Sequence, residues 1–160
     1  MAAPDKENPV YQKAAHYCGY QERTDKEVQE KLRTWGVEKK SEEECIIQAL
    51  KADNFLSEER YVEAFINGKC LGKQWGKRKI FDALTKKGLD QALIQKGLAT
   101  IEPADYLQRL RHLADRKKQS LAGATSIQER QKLTNYLLQK GYEPDLVTQT
   151  VQELIVQQHH

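Results

Sequence analysis

Three glycines, Gly36, Gly88 and Gly141, stand 52 and 53 residues apart and carry the same apolar frame. Eight residues before them lie Val28, Ile80 and Leu133, four before lie Leu32, Leu84 and Leu137, and one after lie Val37, Leu89 and Tyr142. In a chain that is 39% hydrophobic, nine such matches arise by chance on the order of 10⁻⁴ of the time, so the register is read as an internal repeat. A spacing of eight and four residues before a glycine is one buried face of a helix that stops at a left-handed residue. The chain therefore contains at least three copies of a helix with the same end.

The rest of each copy is helical as well. No proline falls between Pro9 and Pro103, and Leu, Gln, Glu, Lys and Ala outweigh the β-branched residues, a balance that favours helix. Pairs four apart, such as Ile46 with Leu50 and Val147 with Val151, set a helical apolar stripe, and no segment alternates with period two. Thr24–Glu27, Ser41–Glu44 and Ser126–Glu129 fit capping boxes. Ser57 ahead of Glu58 and Glu59 supplies a cap and a favourable charge, while Pro103 and Pro144 suit first helical turns. Nine helices are expected, over about 10–18, 25–35, 42–52, 58–71, 77–87, 90–98, 104–119, 127–140 and 144–157. The first helix of each copy opens on a tyrosine: Tyr11, Tyr61 and Tyr106. The fold class is all-α. Three tandem three-helix units, at 10–56, 57–101 and 102–157, follow a disordered tail at 1–9, and stacking them gives an elongated, curved array.

Composition excludes several classes. The apolar runs are too short to span a bilayer, which takes about 18 residues or more. The opening MAAPDKENP lacks a secretory pattern. Cys18, Cys45 and Cys70 are odd in number and widely spaced, against a disulfide framework and in keeping with a reducing cytoplasm. His16 and Cys18 point to opposite sides of a helix, so no shared metal is expected. No phosphate-binding glycine loop and no nucleophile–base spacing is present. The expectation is a monomeric, non-enzymatic protein without cofactor. His159 and His160 have the look of a tag remnant.

Charge is concentrated. The net charge is +3, but residues 1–68 sum to −4 and residues 69–87 to +6. Lys69, Lys73, Trp75, Lys77, Arg78, Lys79 and Lys87 form one candidate surface. Arg109, Arg111, Arg116, Lys117 and Lys118 form a second. Three readings of Trp75 stand. It stacks on a base while the lysines neutralise phosphates, it anchors a basic loop on an acidic protein groove, or it packs between helices beneath solvated lysines. Gly68, Gly72 and Gly76 read as a helix fraying into a flexible connection.

At these residues the chain resembles the RecX family of bacterial RecA regulators. The likeness runs through Thr24, Glu27, Lys31, Leu32 and Gly36. It is strongest over Asp53-Asn-Phe-Leu-Ser-Glu-Glu-Arg-Tyr-Val-Glu-Ala-Phe65, and continues through Lys69, Gly72, Trp75, Gly76, Lys79, Ile80, Leu84, Lys87 and Gly88. It is looser at Leu133, Leu137, Lys140, Gly141 and Tyr142. Ser57–Glu58–Glu59 stands where the family often has paired Asp, and Trp75–Gly76 differs from many members. The resemblance covers about residues 10–155. It implies three tandem three-helix units that bind RecA in the groove of its filament on single-stranded DNA. It also implies lowered ATPase, recombinase and coprotease activity in DNA repair and the SOS response, and weak, salt-sensitive binding of single- or double-stranded DNA. Two rivals are a stand-alone DNA-binding helix-turn-helix protein and a helical scaffold for other partners. Glu42, Glu43 and Glu44 carry the wrong charge for a recognition helix.

Overall fold

The computed structural model describes residues 4–158. They form nine α-helices: α1 (Pro9–Tyr20), α2 (Asp25–Thr34), α3 (Lys40–Ala52), α4 (Glu58–Asn67), α5 (Lys77–Lys86), α6 (Gln91–Leu98), α7 (Pro103–Ser120), α8 (Ser126–Gln139) and α9 (Pro144–Gln158). No strand occurs among the described residues. The helices make three three-helix units, α1–α3, α4–α6 and α7–α9. Of the tail expected to be disordered, residues 1–3 lie outside the described residues, as do His159 and His160. Asn8 caps α1 by accepting from the Val10 amide at 3.0 Å, and Lys6 Nζ reaches Asp53 at 3.3 Å.

Local rules account for most helix ends. Gly36, Gly88 and Gly141 have φ of +91°, +85° and +99°, the left-handed geometry that ends α2, α5 and α8. All nine apolar positions of the repeat are buried. Thr24 and Ser57 accept from the amides three residues on, at 3.1 and 3.2 Å. Three caps differ from expectation. At Thr24 the hydroxyl also donates to the Glu27 carboxylate, at 3.3 Å, so the cap is not the reciprocal box expected. The box on α8 is built by Thr125 with Gln128, one residue earlier than Ser126 with Glu129. Ser41 does not cap α3, which starts at Lys40 behind an uncapped Lys39. Glu43 is spent differently: it is buried and takes both Nε and Nη2 of Arg33, at 3.1 and 3.3 Å.

The apolar side chains gather into two cores rather than three. One joins α1–α3 around Ala14, Val28, Leu32, Ile46 and Leu50. The other runs through the second and third units together, from Val62, Ile80 and Ile94 to Leu110, Leu133, Leu137 and Val147. The boundary between them is polar. Arg60 Nε meets Glu22 at 3.1 Å, and the Asp25 amide donates to Glu58 at 3.4 Å. The chain exposes 10167 Å², whereas a compact monomer of 18.5 kDa exposes roughly 8,200 Å². The excess is what an array of units, rather than a ball, requires.

Candidate functional site

The basic connection between α4 and α5 is not a flexible link. After Asn67 the chain widens into one π-helical turn, Gly68–Gly72, and then folds onto the turn that joins α8 to α9. The Gly76 amide donates to the Lys140 carbonyl at 2.7 Å and the Arg78 amide to the Gly141 carbonyl at 3.0 Å. The Tyr142 hydroxyl donates to the Gln74 carbonyl at 3.0 Å and Lys140 Nζ to the Lys73 carbonyl at 3.3 Å. Gln74 is thereby held at φ +58°, a left-handed conformation costly for a residue with a side chain. The Lys77 amide donates to the Tyr106 hydroxyl at 3.0 Å, and that hydroxyl donates to Glu143. Burial, then the bond to Glu143, pushes the Tyr106 hydroxyl far above its ordinary range, so it stays a donor at any working pH.

This clasp is possible because both partners are glycines. A Cβ on Gly76 would lie 2.3 Å from the Gly141 carbonyl carbon, and one on Gly141 would lie 2.3 Å from Lys79 Cβ. Backbone touches backbone, and the expected frayed connection becomes a rigid shelf carrying the basic residues.

On the shelf, Trp75 is half-buried against the shared core, edge-on to Phe65 at 6.4 Å, with Phe65 in turn stacked on Tyr61 at 6.2 Å. Lys79 Nζ lies 4.5 Å and Lys69 Nζ 4.6 Å from the indole centroid, well inside cation–π range. Lys87 reaches Phe65 at 5.9 Å and Lys77 lies 4.8 Å from the Tyr106 ring. Lys73, Arg78 and Lys87 are exposed, whereas Lys69, Lys77 and Lys79 are half-buried. The lysines are thus not all solvated: several bury their stems on aromatic rings and present charged heads in fixed places. Tyr61 and Phe65 belong to this constellation and carry no charge, which is why a search for basic residues passes them over.

The second basic cluster is dispersed and largely engaged. Arg109 and Arg111 line a groove of about 830 Å³ between α7 and α9, shared with Asp105, Asp115 and Glu153. Arg111 pairs with Glu153 at 3.5 Å. Lys117 lies 4.8 Å from the Tyr136 ring, and Lys118 donates to the Leu154 carbonyl at 3.2 Å. Arg116 is exposed. Burial pushes the Cys18 thiol up to about 11 and raises Cys70, so neither is a thiolate at neutral pH. No group of three metal-ligating side chains gathers among the described residues, and none of their helices is long and apolar enough to cross a membrane.

Comparison with known proteins gives one answer along the chain. Residues 11–50, 57–98 and 104–151 match the first, second and third three-helix domains of RecX. The Regulatory protein RecX of Clostridium perfringens is 31% identical over 134 residues, covering 82% of this chain and 62% of that protein. The one from Bacillus cytotoxicus is 28% identical over 145 residues, covering 91% and 53%. The chain therefore spans between half and two thirds of the length of these relatives. The crystal structure of RecX from Lactobacillus salivarius superposes with a TM-score of 0.84 at 25% identity, covering 92% of this chain and 95% of that one.

Proposed function

This chain belongs to the RecX family of regulatory proteins, and from that premise we propose that it binds RecA filaments on single-stranded DNA and restrains them. The role is stoichiometric and non-catalytic. A cytoplasmic monomer lies along the filament groove, contacts more than one RecA subunit, and lowers ATPase, recombinase and coprotease activity during DNA repair and the SOS response. Its own affinity for single- or double-stranded DNA is weak and salt-sensitive.

The observation that carries this reading is the pinned shelf. Lys69, Lys73, Lys77, Arg78 and Lys79 are held by the third unit's turn rather than left on a loose loop, so binding an anionic groove costs little ordering entropy. The extended array suits a partner that is itself a repeating helix. Arg109, Arg111, Arg116, Lys117 and Lys118 serve as the secondary contact.

The test is RecA ATPase on single-stranded DNA, titrated with wild-type chain and with the Lys77→Glu, Arg78→Glu, Lys79→Glu triple variant. The variant should need at least tenfold more protein for equal suppression, which is about 1.4 kcal/mol. Because Lys77 and Lys79 lie on aromatic rings, it should also lose about 1–2 kcal/mol of stability, so each titration is run well below its melting temperature. Glu42→Lys with Glu44→Lys is the control; Glu43 is left alone because it is buried against Arg33. A folded triple variant that suppresses ATPase at the wild-type concentration overturns the assignment of the shelf.

A further inference from the structure

The first unit holds a second aromatic–cation cluster that no charge count singles out. Tyr17 on α1 meets Trp35, at the end of α2, edge-on at 6.1 Å. Arg23 lies 3.7 Å from the Tyr17 centroid, Lys31 at 5.5 Å, and Lys13 lies 6.0 Å from Trp35. This cluster is the repeat equivalent of the shelf with its chemistry exchanged. Counting back 23 and 1 from the turn glycine gives Lys13 and Trp35 in the first unit, and Phe65 and Lys87 in the second. The two pairs sit 6.0 and 5.9 Å apart, centroid to ammonium, with ring and cation swapped.

The two clusters also come to one joint. Arg60 Nε pairs with Glu22 at 3.1 Å across the boundary between the two cores, and Tyr61 and Arg23 are the residues that follow this pair in sequence. Gly88, next to Lys87, lies there as well: a Cβ on it would stand 3.8 Å from Lys26 Cδ. From there Tyr61 stacks on Phe65, and Phe65 meets Trp75. The result is a path of five half-buried rings from Trp35 to Trp75, in two runs that come to the same joint, with Arg23 on the Tyr17 ring beside it. Glu27 and Glu30 adjoin it, and Arg23 answers Glu27 at 3.8 Å. Arg23 is itself only 13% exposed and donates to the Tyr17 carbonyl, so it braces the path, while Lys13, Lys31 and Lys87 are exposed along it.

We infer that this path is a binding surface for single-stranded nucleic acid that begins in the first unit, at Lys13, Tyr17, Lys31 and Trp35, and crosses to the shelf through Tyr61. It rests on the proposed function and extends it, since the residues of the first unit belong to neither basic cluster. Lysines spaced along half-exposed rings match a backbone of phosphates with bases free to stack. A duplex keeps its base faces paired and stacked, and an acidic protein groove would use the charges but leave the rings idle.

The chain's two tryptophans stand at the two ends of this path, which makes it directly observable. In a Trp75→Phe variant, Trp35 is the sole reporter, and oligothymidylate added at low salt should quench or shift its emission, with recovery on adding salt. Lys13→Glu with Lys31→Glu should weaken oligothymidylate binding, read by anisotropy, at least tenfold, and lower the salt slope by about 0.7 for each phosphate no longer neutralised. Lys13→Gln with Lys31→Gln should move both in the same direction by less. Unchanged Trp35 emission at saturating oligothymidylate overturns the inference. So does a Lys13/Lys31 variant that binds oligothymidylate normally yet suppresses RecA poorly, which would make this a protein contact. If the wild-type chain binds no oligothymidylate at low salt, the path is also overturned, and RecA ATPase suppression still decides the proposed function separately.

Discussion

Replacing Gly76 by alanine should be among the most damaging single-methyl changes in this chain. The new Cβ would sit 2.3 Å from the Gly141 carbonyl carbon and 2.4 Å from both the Gly141 oxygen and the Tyr142 nitrogen. All three are backbone atoms and cannot rotate away. The shelf must lift off the α8–α9 turn, as an overpacked site costing about 1–3 kcal/mol. Lifting also stretches the Gly76–Lys140 and Arg78–Gly141 hydrogen bonds, each worth about 0.5–1.5 kcal/mol. The sum is about 2–6 kcal/mol, or roughly 4–24 °C in Tm for a chain of this size. Two other glycines calibrate the scale. Gly72→Ala meets open space without a left-handed φ and should shift Tm by less than about 2 °C. Gly36→Ala also meets open space but at φ +91°, and should cost about 1–2 kcal/mol. The assay is thermal unfolding by circular dichroism together with amide exchange. The loss should fall on α4–α9, which share a core, and spare amides of α1–α3. If Gly76→Ala melts within about 2 °C of wild type, or opens the first unit equally, the clasp does not hold the second and third units together.

Other outcomes follow from single contacts. Arg33→Ala leaves the buried Glu43 carboxylate without its two-point partner; since Arg33 is largely exposed, urea unfolding should report a loss of about 1–2 kcal/mol rather than the larger penalty of a fully buried pair, and no change would mean that water replaces the guanidinium freely. Burial and then Asp25 raise the Glu58 carboxyl above its ordinary 4.5, so the folded chain holds that proton more tightly than the unfolded one, and stability from this group falls as pH rises through the interval between the two values. Glu58→Gln should therefore melt higher than wild type at pH 7, with the gap closing as pH falls below the ordinary 4.5; a gap that is absent, or that widens on acidification, refutes the assignment.

Much of the fold was readable because the repeat writes itself in positions that physics constrains twice. Gly36, Gly88 and Gly141 are demanded by backbone geometry, and the residues eight and four before them by burial, so the same nine positions report both helix end and core. The caps read less well. Ser126 and Thr125 are adjacent and chemically equal, and only the packing of α8 decides between them. Ser41 lies inside α3, which starts one residue earlier, at Lys40, and Glu43 is engaged with Arg33, a partner ten residues away. At the candidate site, the concentration of charge was visible, but its rigidity was not. Of Gly68, Gly72 and Gly76, which together signal a loose helix end, Gly76 alone permits a close backbone contact, and the partner, Gly141, lies 65 residues downstream of it. The first-unit rings were hidden for another reason: Lys13 and Lys31 lie in a segment of net negative charge.

The merging of two cores out of three goes with a difference in the residue that precedes the second helix of a unit. It is Thr24 in the first unit and Gly76 in the second. In both cases the turn glycine of the following unit comes down on the start of that helix. At the start of α2 the approach is loose: the nearest atom to a Cβ on Gly88 is Lys26 Cδ, at 3.8 Å, and the first unit is joined instead to the start of α4, by Glu22 with Arg60 and by Asp25 with Glu58. Over Gly76 the approach is backbone on backbone, and the apolar residues behind it close into one core. A threonine caps its helix through its own hydroxyl. A glycine leaves the cap unmade and invites the next unit's carbonyls to supply it, as Lys140 and Gly141 do. The N-cap residue thus differs between a polar joint and a close-packed one in an otherwise repeated frame. The inferred nucleic-acid path crosses the polar joint, at Tyr61, and ends on the rigid one, at Trp75, so a strand bound along it would couple the first unit to a body formed by the other two.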